Sequence, residues 1–401
     1  MDEKILLVTP EHKQATCPAE VTAYGMAQAA KARSFHSSFP EYEPTPLVEL
    51  RNLAAHLGIK NIYVKDESKR FGLNAFKVLG GSYAIGRDIC QRMGAGEEKL
   101  DYNFLMSPEV NEKLDAVTYI TATDGNHGRG VAWTANRLGK RCVVYMPEGT
   151  AAERLENIRK LGADASIKPC NYDDAVRLAQ QQAKEHGWTV VQDTSWPGYE
   201  EIPLYIMQGY TTMAHEFVEQ LNGVRPTHVF LQAGVGAMAG AITGFLADYY
   251  GKQKPRVIIV EPHGANCLYR TAQHNNGRLY YATGRLNSMM AGLCCGEPCK
   301  LGWDILGSYA EHFVSMDDEV AALGMRVLSA PLTGDEPVVS GESGAAGFGL
   351  AVAALWEPKL GWLKKQLKLD ERSVVLCIST EGATDRDNYR KIVWQGDRSW
   401  S

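Results

Sequence analysis

The sequence contains no apolar run long enough to cross a bilayer as a helix. Its longest apolar stretches, such as residues 374–378, have the length of a strand, whereas a membrane-spanning helix needs about 20 apolar residues. A basic stripe with interleaved aromatic residues is also missing, and the formal net charge is -5. Such a chain carries no electrostatic footprint for nucleic acid. We therefore expect neither membrane insertion nor nucleic-acid binding.

A signal peptide and a zinc motif are absent as well. The first ten residues include acidic ones and hold no long apolar segment, so a cytoplasmic location is expected. The nine cysteines are odd in number, which favours free thiols. Cys294, Cys295 and Cys299 cluster, with Cys267 upstream, but without paired CxxC spacing. We expect burial or a local disulfide there, and no metal site.

What the chain does contain is the ordinary composition of a globular protein. Of its 401 residues, 45% are hydrophobic and 22% charged, a typical mixture. Single cores stop growing at about 250–300 residues, so two domains are expected. The first forty residues are predicted to form a wrapping arm, and no internal repeat follows it.

Beyond that arm, short apolar segments alternate with segments of helical length. The predicted strands are 61–65, 117–120, 141–146, 165–168, 189–192, 228–232, 257–260 and 373–378. The predicted helices are 76–93, 128–138, 151–161, 172–186, 206–220, 238–250, 317–328 and 343–355. This alternation predicts parallel sheets with helices on both faces. Ligands bind such sheets at the carboxyl ends of their strands, so the turns after strands are the candidate sites.

One such turn is rich in glycine and covers residues 234–240, directly after the predicted strand 228–232. A turn of this kind at the start of a helix offers free backbone N–H groups and a positive dipole end, which together bind phosphate. Close packing of helix against strand would explain the glycines equally well. A nicotinamide-dependent dehydrogenase is a further alternative, with Glu261 as the ribose-binding acid.

A second turn, residues 121–130, also leads into a predicted helix and could hold a carboxylate. Thr123 offers a hydroxyl donor and Asn126 an amide. Thr123 and Asp124 could instead simply cap the helix. His127, taken alone, is more typical of a structural histidine.

Two further positions carry candidate chemistry. Lys77 lies at the start of a predicted helix among apolar neighbours, a setting that disfavours the charged ammonium and makes a nucleophile of the amine. A surface lysine extending from a helix end is the alternative. Ser379 and Thr380 follow the last strand, where a hydroxyl could bind a heterocyclic nitrogen or cap a turn.

Taken in this order, the motifs resemble the fold-type II pyridoxal-phosphate enzymes, the tryptophan synthase β-like superfamily. The resemblance begins at Thr45 and spans nearly all of the remaining chain. The motifs that carry it are Thr45-Pro46-Leu47, the strand ending in Lys65-Asp66-Glu67, Phe76-Lys77, the run Thr123 to His127, the turn Gly234 to Ala239, the run Gly292 to Pro298 and Glu342 to Ala345.

The resemblance implies an α/β fold of two doubly wound, three-layer domains with parallel sheets. Pyridoxal 5'-phosphate is expected in the cleft between them. Residues 1–79 and 197–401 would form the large domain that binds the cofactor, and residues 80–196 the small one. A homodimer is also implied.

Roles for individual residues follow from the resemblance. Lys77 would carry the cofactor covalently, Asn126 would bind the ring hydroxyl, and Thr380, or else Ser379, would meet the pyridine nitrogen. The phosphate would lie on Gly234, Val235, Gly236, Ala237, Met238 and Ala239. The substrate would contact Thr123, Asp124 and Gly125, with Asp193 as a weaker candidate for its amine.

Within the superfamily the resemblance is to the ammonia-lyases that convert 2,3-diaminopropionate to pyruvate and two ammonia. Asp124 stands where dehydratases carry a small or apolar residue, and a carboxylate there could attract the β-ammonium. As a second base it would let the enzyme accept the D-isomer as well as the L-isomer. The alternatives are a threonine or serine dehydratase and a non-catalytic module that binds the cofactor or a metabolite.

Overall fold

The computed structural model describes residues 4–11 and 19–400. Its strands are β1 Ile5–Val8, β2 Leu47–Glu49, β3 Asn61–Asp66, β4 Thr118–Ala122, β5 Arg141–Met146, β6 Asp164–Ile167, β7 Thr189–Val190, β8 His228–Gln232, β9 Arg256–Pro262, β10 His312–Met316 and β11 Val374–Ser379. Its helices are α1 Met26–Ser37, α2 Arg51–Leu57, α3 Val78–Arg92, α4 Tyr102–Leu105, α5 Pro108–Lys113, α6 Asn126–Arg137, α7 Ala152–Arg159, α8 Tyr172–His186, α9 Glu201–Gln220, α10 Ala237–Tyr250, α11 Cys267–His274, α12 Lys300–Tyr309, α13 Asp318–Ser329, α14 Ala346–Trp356, α15 Gly361–Leu367 and α16 Arg386–Val393. None of these described helices is both long and apolar enough to span a membrane.

The strands form two sheets, as the alternating pattern predicts. The larger has the order β1-β10-β9-β8-β11-β3-β2 and the smaller the order β6-β5-β4-β7. All neighbours pair in parallel except β1 and β2, which lie antiparallel at the two edges of the larger sheet. Every residue of β8 and of β11 is buried, because helices cover both faces of the sheet. The doubly wound α/β fold is confirmed.

The strands of the smaller sheet lie between residues 118 and 190, inside the range predicted for the small domain. Helix α3 begins two residues before that range and packs against α6 and α9. The boundaries at residues 79/80 and 196/197 stay a prediction.

Several boundaries differ from the sequence prediction. The edge strands β1 and β2 and strand β10 were not predicted, since β1 and β2 are short and polar residues flank β1 and β10. The predicted arm is in part regular structure, because β1 joins the large sheet and α1 packs on α9; residues 12–18 of that arm lie outside the described residues. Helix α6 begins at Asn126 rather than residue 128, which puts Asn126 and His127 in its first turn.

Helix α3, which starts directly after Lys77, is held by two contacts that leave no room for a side chain. A Cβ on Gly130 of α6 would lie 2.7 Å from the Val78 Cα atom. A Cβ on Gly209 of α9 would lie 2.4 Å from the Leu79 carbonyl oxygen. Real side chains essentially never approach backbone so closely, so glycine is required at both positions. The start of α3 is therefore fixed from two sides.

Candidate active site

A cavity opens where β8 and β11 end, at the carboxyl ends of parallel strands, where such sheets bind their ligands. The predicted site residues that line it are Lys77, Asn126, Asp193, Gly234, Val235, Gly236, Ala237, Met238, Ala239 and Thr380. Four other predicted residues, Thr123, Asp124, Gly125 and Ser379, are not part of its wall. Most of the predicted cofactor site thus comes together in one place.

Lys77 forms an ion pair at the centre of the cavity. Its Nζ atom donates a hydrogen bond of 2.8 Å to Oδ2 of Asp193, with the two side chains 16% and 5% exposed. Burial lowers the pKa of Lys77, but the carboxylates of Asp193 and Asp124 raise it by more, so the pKa lies above its ordinary value. Our prediction that the surroundings of Lys77 favour the neutral amine is wrong while Lys77 is paired with Asp193. The sequence does not reveal this contact.

Asp193 has further polar neighbours besides Lys77. Its Oδ1 atom accepts hydrogen bonds from the Tyr172 hydroxyl at 3.4 Å and from Nε2 of Gln192 at 3.3 Å. The Nδ1 atom of His127 lies 3.8 Å from Oδ2. Burial opposes ionisation of Asp193, yet the Lys77 ammonium holds its pKa below the usual range. Asp193 is therefore a buried carboxylate tied directly to the reactive amine.

The glycine-rich turn forms one wall of the cavity and leads into α10. Gly236 has φ +94°, a left-handed conformation that glycine adopts without strain. Helix α10 starts at the next residue, Ala237. A helical position accepts a Cβ, so an alanine is compatible with the turn there. The first N–H groups of a helix have no intrahelical partner and bind anions well.

The cavity suits a phosphorylated pyridine cofactor on a second observation as well. The Tyr210 hydroxyl lines the cavity, is buried and has no hydrogen-bond partner among the described residues. Buried polar groups are normally paired, and a polar ligand in the cavity would supply the partner. The residues present therefore fit pyridoxal phosphate.

Thr380 presents a hydroxyl whose direction is set by Gln232. The Gln232 amide donates from Nε2 to the carbonyl oxygens of Ile378 and Gly344, at 2.8 and 3.2 Å, and to Thr380 Oγ1 at 3.0 Å. Carbonyl oxygens only accept, so the amide orientation is fixed and Thr380 is left to donate its own proton. Ser379 instead donates to Ser340 Oγ at 2.8 Å. The geometry thus selects Thr380 of the two predicted hydroxyls.

Asn126 lines the cavity from the first turn of α6, opposite Thr380. Its Nδ2 atom donates a short hydrogen bond to Oε2 of Glu381. Glu381 also accepts from the backbone N–H of Ser343 at 3.2 Å. This fixes one amide hydrogen of Asn126 and leaves the other hydrogen and the oxygen for a ligand.

Asp124 lies just beyond the cavity wall, in an adjoining cleft. That cleft is also lined by Arg154 and Cys294, and the Arg154 guanidinium is 3.7 Å from Oδ2 of Asp124. A Cβ on Gly292, which lines the main cavity, would be 3.5 Å from the same oxygen. A ligand extending past Gly292 would therefore meet the Asp124 carboxylate.

Thr123 and Gly125 play a local structural part in the same turn. The Thr123 hydroxyl accepts hydrogen bonds from the backbone N–H groups of Gly125 and Gly128, at 2.9 and 3.0 Å. This is the capping alternative considered above. A direct contact of Thr123 with substrate stays a prediction.

Glu261 does not act as a ribose-binding acid. It is fully buried and accepts hydrogen bonds from the backbone N–H groups of Leu268 and Tyr269, at 2.9 and 2.6 Å, at the start of α11. Burial raises the pKa of Glu261 to about 8. Because the carboxylate caps a helix away from solvent, Glu261 no longer supports the dehydrogenase alternative.

The described cysteines, Cys267, Cys294, Cys295 and Cys299 among them, are free, so the local disulfide is not formed.

Four residues of the site were not predicted: Tyr210, Gln232, Glu381 and Arg154. Gln232 is the last residue of a predicted strand, and a polar residue ending an apolar strand was a signal available in the sequence. Tyr210 and Arg154 lie within helices, where nothing in the local sequence distinguishes them.

Comparison with known proteins agrees with this geometry. The model of the family "pyridoxal-phosphate dependent enzyme" matches residues 39–381. The diaminopropionate ammonia-lyase of Escherichia coli is 51% identical over 375 residues, 93% of this chain and 93% of that protein. The enzyme of the same name from Salmonella typhimurium is 49% identical over 367 residues, 90% and 91% of the two chains. A crystal structure of the Escherichia coli enzyme in complex with an aminoacrylate–pyridoxal phosphate azomethine reaction intermediate has a TM-score of 0.91 at 48% identity, covering 99% of this chain and 98% of that one.

Proposed function

This chain belongs to the pyridoxal-phosphate dependent enzymes, and on that basis we propose that it is an ammonia-lyase acting on 2,3-diaminopropionate. The products are pyruvate and two ammonia. The observation that carries this function is the identity of about half of all residues with two diaminopropionate ammonia-lyases over nine tenths of the chain. The site adds a chemical reason, because the Asp193 carboxylate pairs with the reactive amine and the Asp124 carboxylate lies in the adjoining cleft.

The residues of the cavity provide a place for each part of the cofactor. Lys77 would carry it, the turn from Gly234 to Ala239 would bind its phosphate, Asn126 would meet the ring hydroxyl and Thr380 would donate to the ring nitrogen. When bound, the cofactor supplies an electron sink that stabilises negative charge at the substrate Cα. A neutral hydroxyl at the ring nitrogen moderates that sink, which suits elimination.

The remaining chemistry falls to protein side chains. Lys77, once freed, takes the Cα proton. Asp124 binds the β-amino group in its ammonium form, so that when the Cβ–N bond breaks the electron pair stays on nitrogen and neutral ammonia leaves. The 2-aminoacrylate released is hydrolysed to pyruvate and the second ammonia. Arg154 lies 3.7 Å from Oδ2 of Asp124 in the adjoining cleft.

The first experiment is a visible spectrum of the purified protein, followed by product assays. We expect a yellow protein that releases pyruvate from diaminopropionate, and much less 2-oxobutyrate from threonine. Preference for threonine would favour the dehydratase alternative, which has no use for Asp124. A colourless protein that stays colourless with added pyridoxal phosphate would contradict the proposal.

The role of Asp124 is tested by Asp124→Asn. Loss of a charge-assisted contact of about 1.5–3 kcal/mol lowers kcat/KM for diaminopropionate roughly 10- to 150-fold, with little change for threonine. Asp174→Asn is the matched control, since Asp174 is exposed on α8 and pairs with Arg177. Full activity of Asp124→Asn on both the L- and D-isomers would rule out a functional carboxylate at this position.

We also propose that the protein works as a cytoplasmic homodimer. The resemblance to the superfamily supports the dimer. Sedimentation equilibrium should give twice the chain mass of 44.1 kDa. A single-chain mass at micromolar concentration would contradict the dimer.

A further inference from the structure

Lys77 must lose a proton before it can react, and its surroundings oppose that loss. The amine attacks a carbonyl carbon, or takes a Cα proton, only in its neutral form. In the structure its Nζ atom is held 2.8 Å from the Asp193 carboxylate, which favours the ammonium. The inference below rests on the attachment of the cofactor to Lys77, but not on the identity of the substrate.

His127 is placed to accept that proton. Its ring is 1% exposed, and its Nε2 atom is 2.8 Å from the Val191 carbonyl oxygen. A carbonyl oxygen only accepts, so Nε2 carries the hydrogen and Nδ1 of the neutral ring keeps its lone pair. Nδ1 is buried without a hydrogen-bond partner among the described residues, and it lies 3.8 Å from Asp193 Oδ2.

We propose that Asp193 and His127 form a relay that receives the proton lost by Lys77. The Nζ–H bond of Lys77 breaks as an O–H bond forms at Asp193 Oδ2. That proton then passes to Nδ1 of His127, which leaves the Asp193 carboxylate beside an imidazolium and Lys77 as a neutral amine. No proton leaves the buried site, and net charge there is unchanged. His127 acts on Lys77 only through Asp193, by holding the proton that Lys77 has lost.

The groups that face this relay do not compete for the proton. His127 is faced by Asp193 and Lys77, with Asp124 from the preceding turn. Asp193 is also faced by a set of buried hydroxyls and thiols, whose pKa values burial raises so that they stay neutral: Tyr172, Tyr199, Tyr210, Cys295 and Cys299. Burial lowers the pKa of His127 and the Lys77 ammonium lowers it further, while the Asp193 carboxylate raises it. The ring is therefore neutral while Lys77 is charged, and the repulsion from Lys77 ends as Lys77 loses its proton.

A purely structural histidine looks different in this protein. His228 is also buried, but its Nε2 atom is 2.9 Å from the Leu367 carbonyl oxygen and its Nδ1 atom 2.7 Å from the Thr227 hydroxyl. Both nitrogens are used there, at the end of β8 remote from the cavity. In His127 one nitrogen is used for structure and the other faces the reactive pair.

The test is the rate at which full-length apoenzyme takes up pyridoxal phosphate, followed by the visible absorbance between pH 6 and 9. His127→Gln keeps a side-chain N–H for the Val191 carbonyl but removes the base that faces Asp193. We expect uptake by this variant to be about tenfold slower at pH 7 and to rise roughly tenfold per pH unit, as the neutral fraction of an unassisted amine does. Wild type should depend much less on pH.

Control variants make the result decisive. His228→Gln should keep the wild-type rate and pH dependence, and Lys77→Ala should show no covalent uptake. His127→Asn also has an amide oxygen that can accept a hydrogen bond but no basic nitrogen, so it should behave like His127→Gln. It replaces that variant in the test if His127→Gln folds poorly. Wild-type rate and pH dependence in a stably folded His127→Gln would overturn the relay, as would the same shift in His228→Gln. Failure of wild type itself to form the covalent link would instead overturn the proposed function.

Discussion

At the scale of single residues, the direction of the Thr380 hydroxyl proton would govern how the proposed site holds the cofactor ring. The two hydrogens of the Gln232 amide are shared among the carbonyl oxygens of Ile378 and Gly344 and the Thr380 hydroxyl oxygen. The Thr380 hydroxyl is then left to donate its own proton, and in the proposed site it would donate to the ring nitrogen. A neutral donor at that position would moderate the electron sink that the cofactor supplies.

Removing that hydroxyl should affect the ring and leave the fold intact. Thr380→Val keeps the shape of the side chain but leaves the ring nitrogen unpaired, at a cost of about 1–3 kcal/mol. We expect kcat to fall up to roughly 100-fold and the visible absorption band to shift, with Thr380→Ser restoring both. Ser379→Ala, which removes the neighbouring hydroxyl outside the cavity, should resemble wild type in both measurements. A larger effect at Ser379 than at Thr380 would reverse the assignment.

At the scale of elements, the glycine-rich turn and α10 act together, because the turn aims the helix at the cavity. Gly236 supplies the left-handed residue at which the strand direction changes into the helix. A side chain there would be strained and would also lie 3.1 Å from Leu268. The phosphate site therefore depends on one backbone conformation.

Gly236→Ala should separate cofactor affinity from stability. The strain of a non-glycine left-handed residue costs roughly 1–2 kcal/mol, and displaced N–H groups should weaken pyridoxal-phosphate binding about tenfold or more. Gly223→Ala carries the same strain at φ +85° with open space around it, so it should lose similar stability but keep cofactor affinity. Titration of both apoenzymes with cofactor, next to their melting temperatures, provides the comparison. Equal cofactor affinity in the two variants would contradict a phosphate site in the glycine-rich turn.

Much of this element-level picture could be predicted, and the failures have physical reasons. The strands buried on both faces were found because helices cover them and keep them apolar. The turns after these strands could be identified as candidate sites because parallel sheets bind ligands at the carboxyl ends of their strands. The charge state of Lys77 could not be predicted, because it depends on Asp193, which follows a strand of the other sheet. The roles of Glu381 and Arg154 likewise depend on contacts between segments far apart in sequence.

At the scale of the whole molecule, a buried ionic network joins β3, the segment before Lys77 and α9. Glu216 on α9 accepts from Lys65 of β3 at 2.6 Å and from Arg70 at 2.7 Å, and all three side chains are fully buried. Arg70 also pairs with Glu67 at 2.9 Å. Burial raises the pKa of Glu216, but Arg70 and Lys65 lower it by more, to about 2. The network fixes the large sheet to the segment that carries the reactive lysine.

Glu216→Gln should destabilise the protein in a manner that depends on pH. Leaving two buried cations under-compensated costs about 3–5 kcal/mol near neutral pH. A depressed pKa contributes stability above the unfolded value of 4.5 and loses it as pH falls towards 2. The difference from wild type should therefore shrink by roughly 2 kcal/mol between pH 7 and pH 3.

Urea denaturation at the two pH values measures this difference. Glu219→Gln is the matched control, since Glu219 lies on the same helix, is 53% exposed and pairs with Arg33 at the surface. An exposed ion pair contributes about 0–1 kcal/mol, so this variant should stay close to wild type. A pH-independent loss in Glu216→Gln would show that packing rather than charge is responsible.

The two glycine contacts at the start of α3 also limit how the enzyme can move. Gly130 and Gly209 pack directly against the backbone of Val78 and Leu79, so the main chain just after Lys77 is closely held from two sides. In the proposed reaction Lys77 is released from the cofactor and later bound to it again. With the backbone held, the Lys77 amine would move between the two positions by rotation about the bonds of its own side chain.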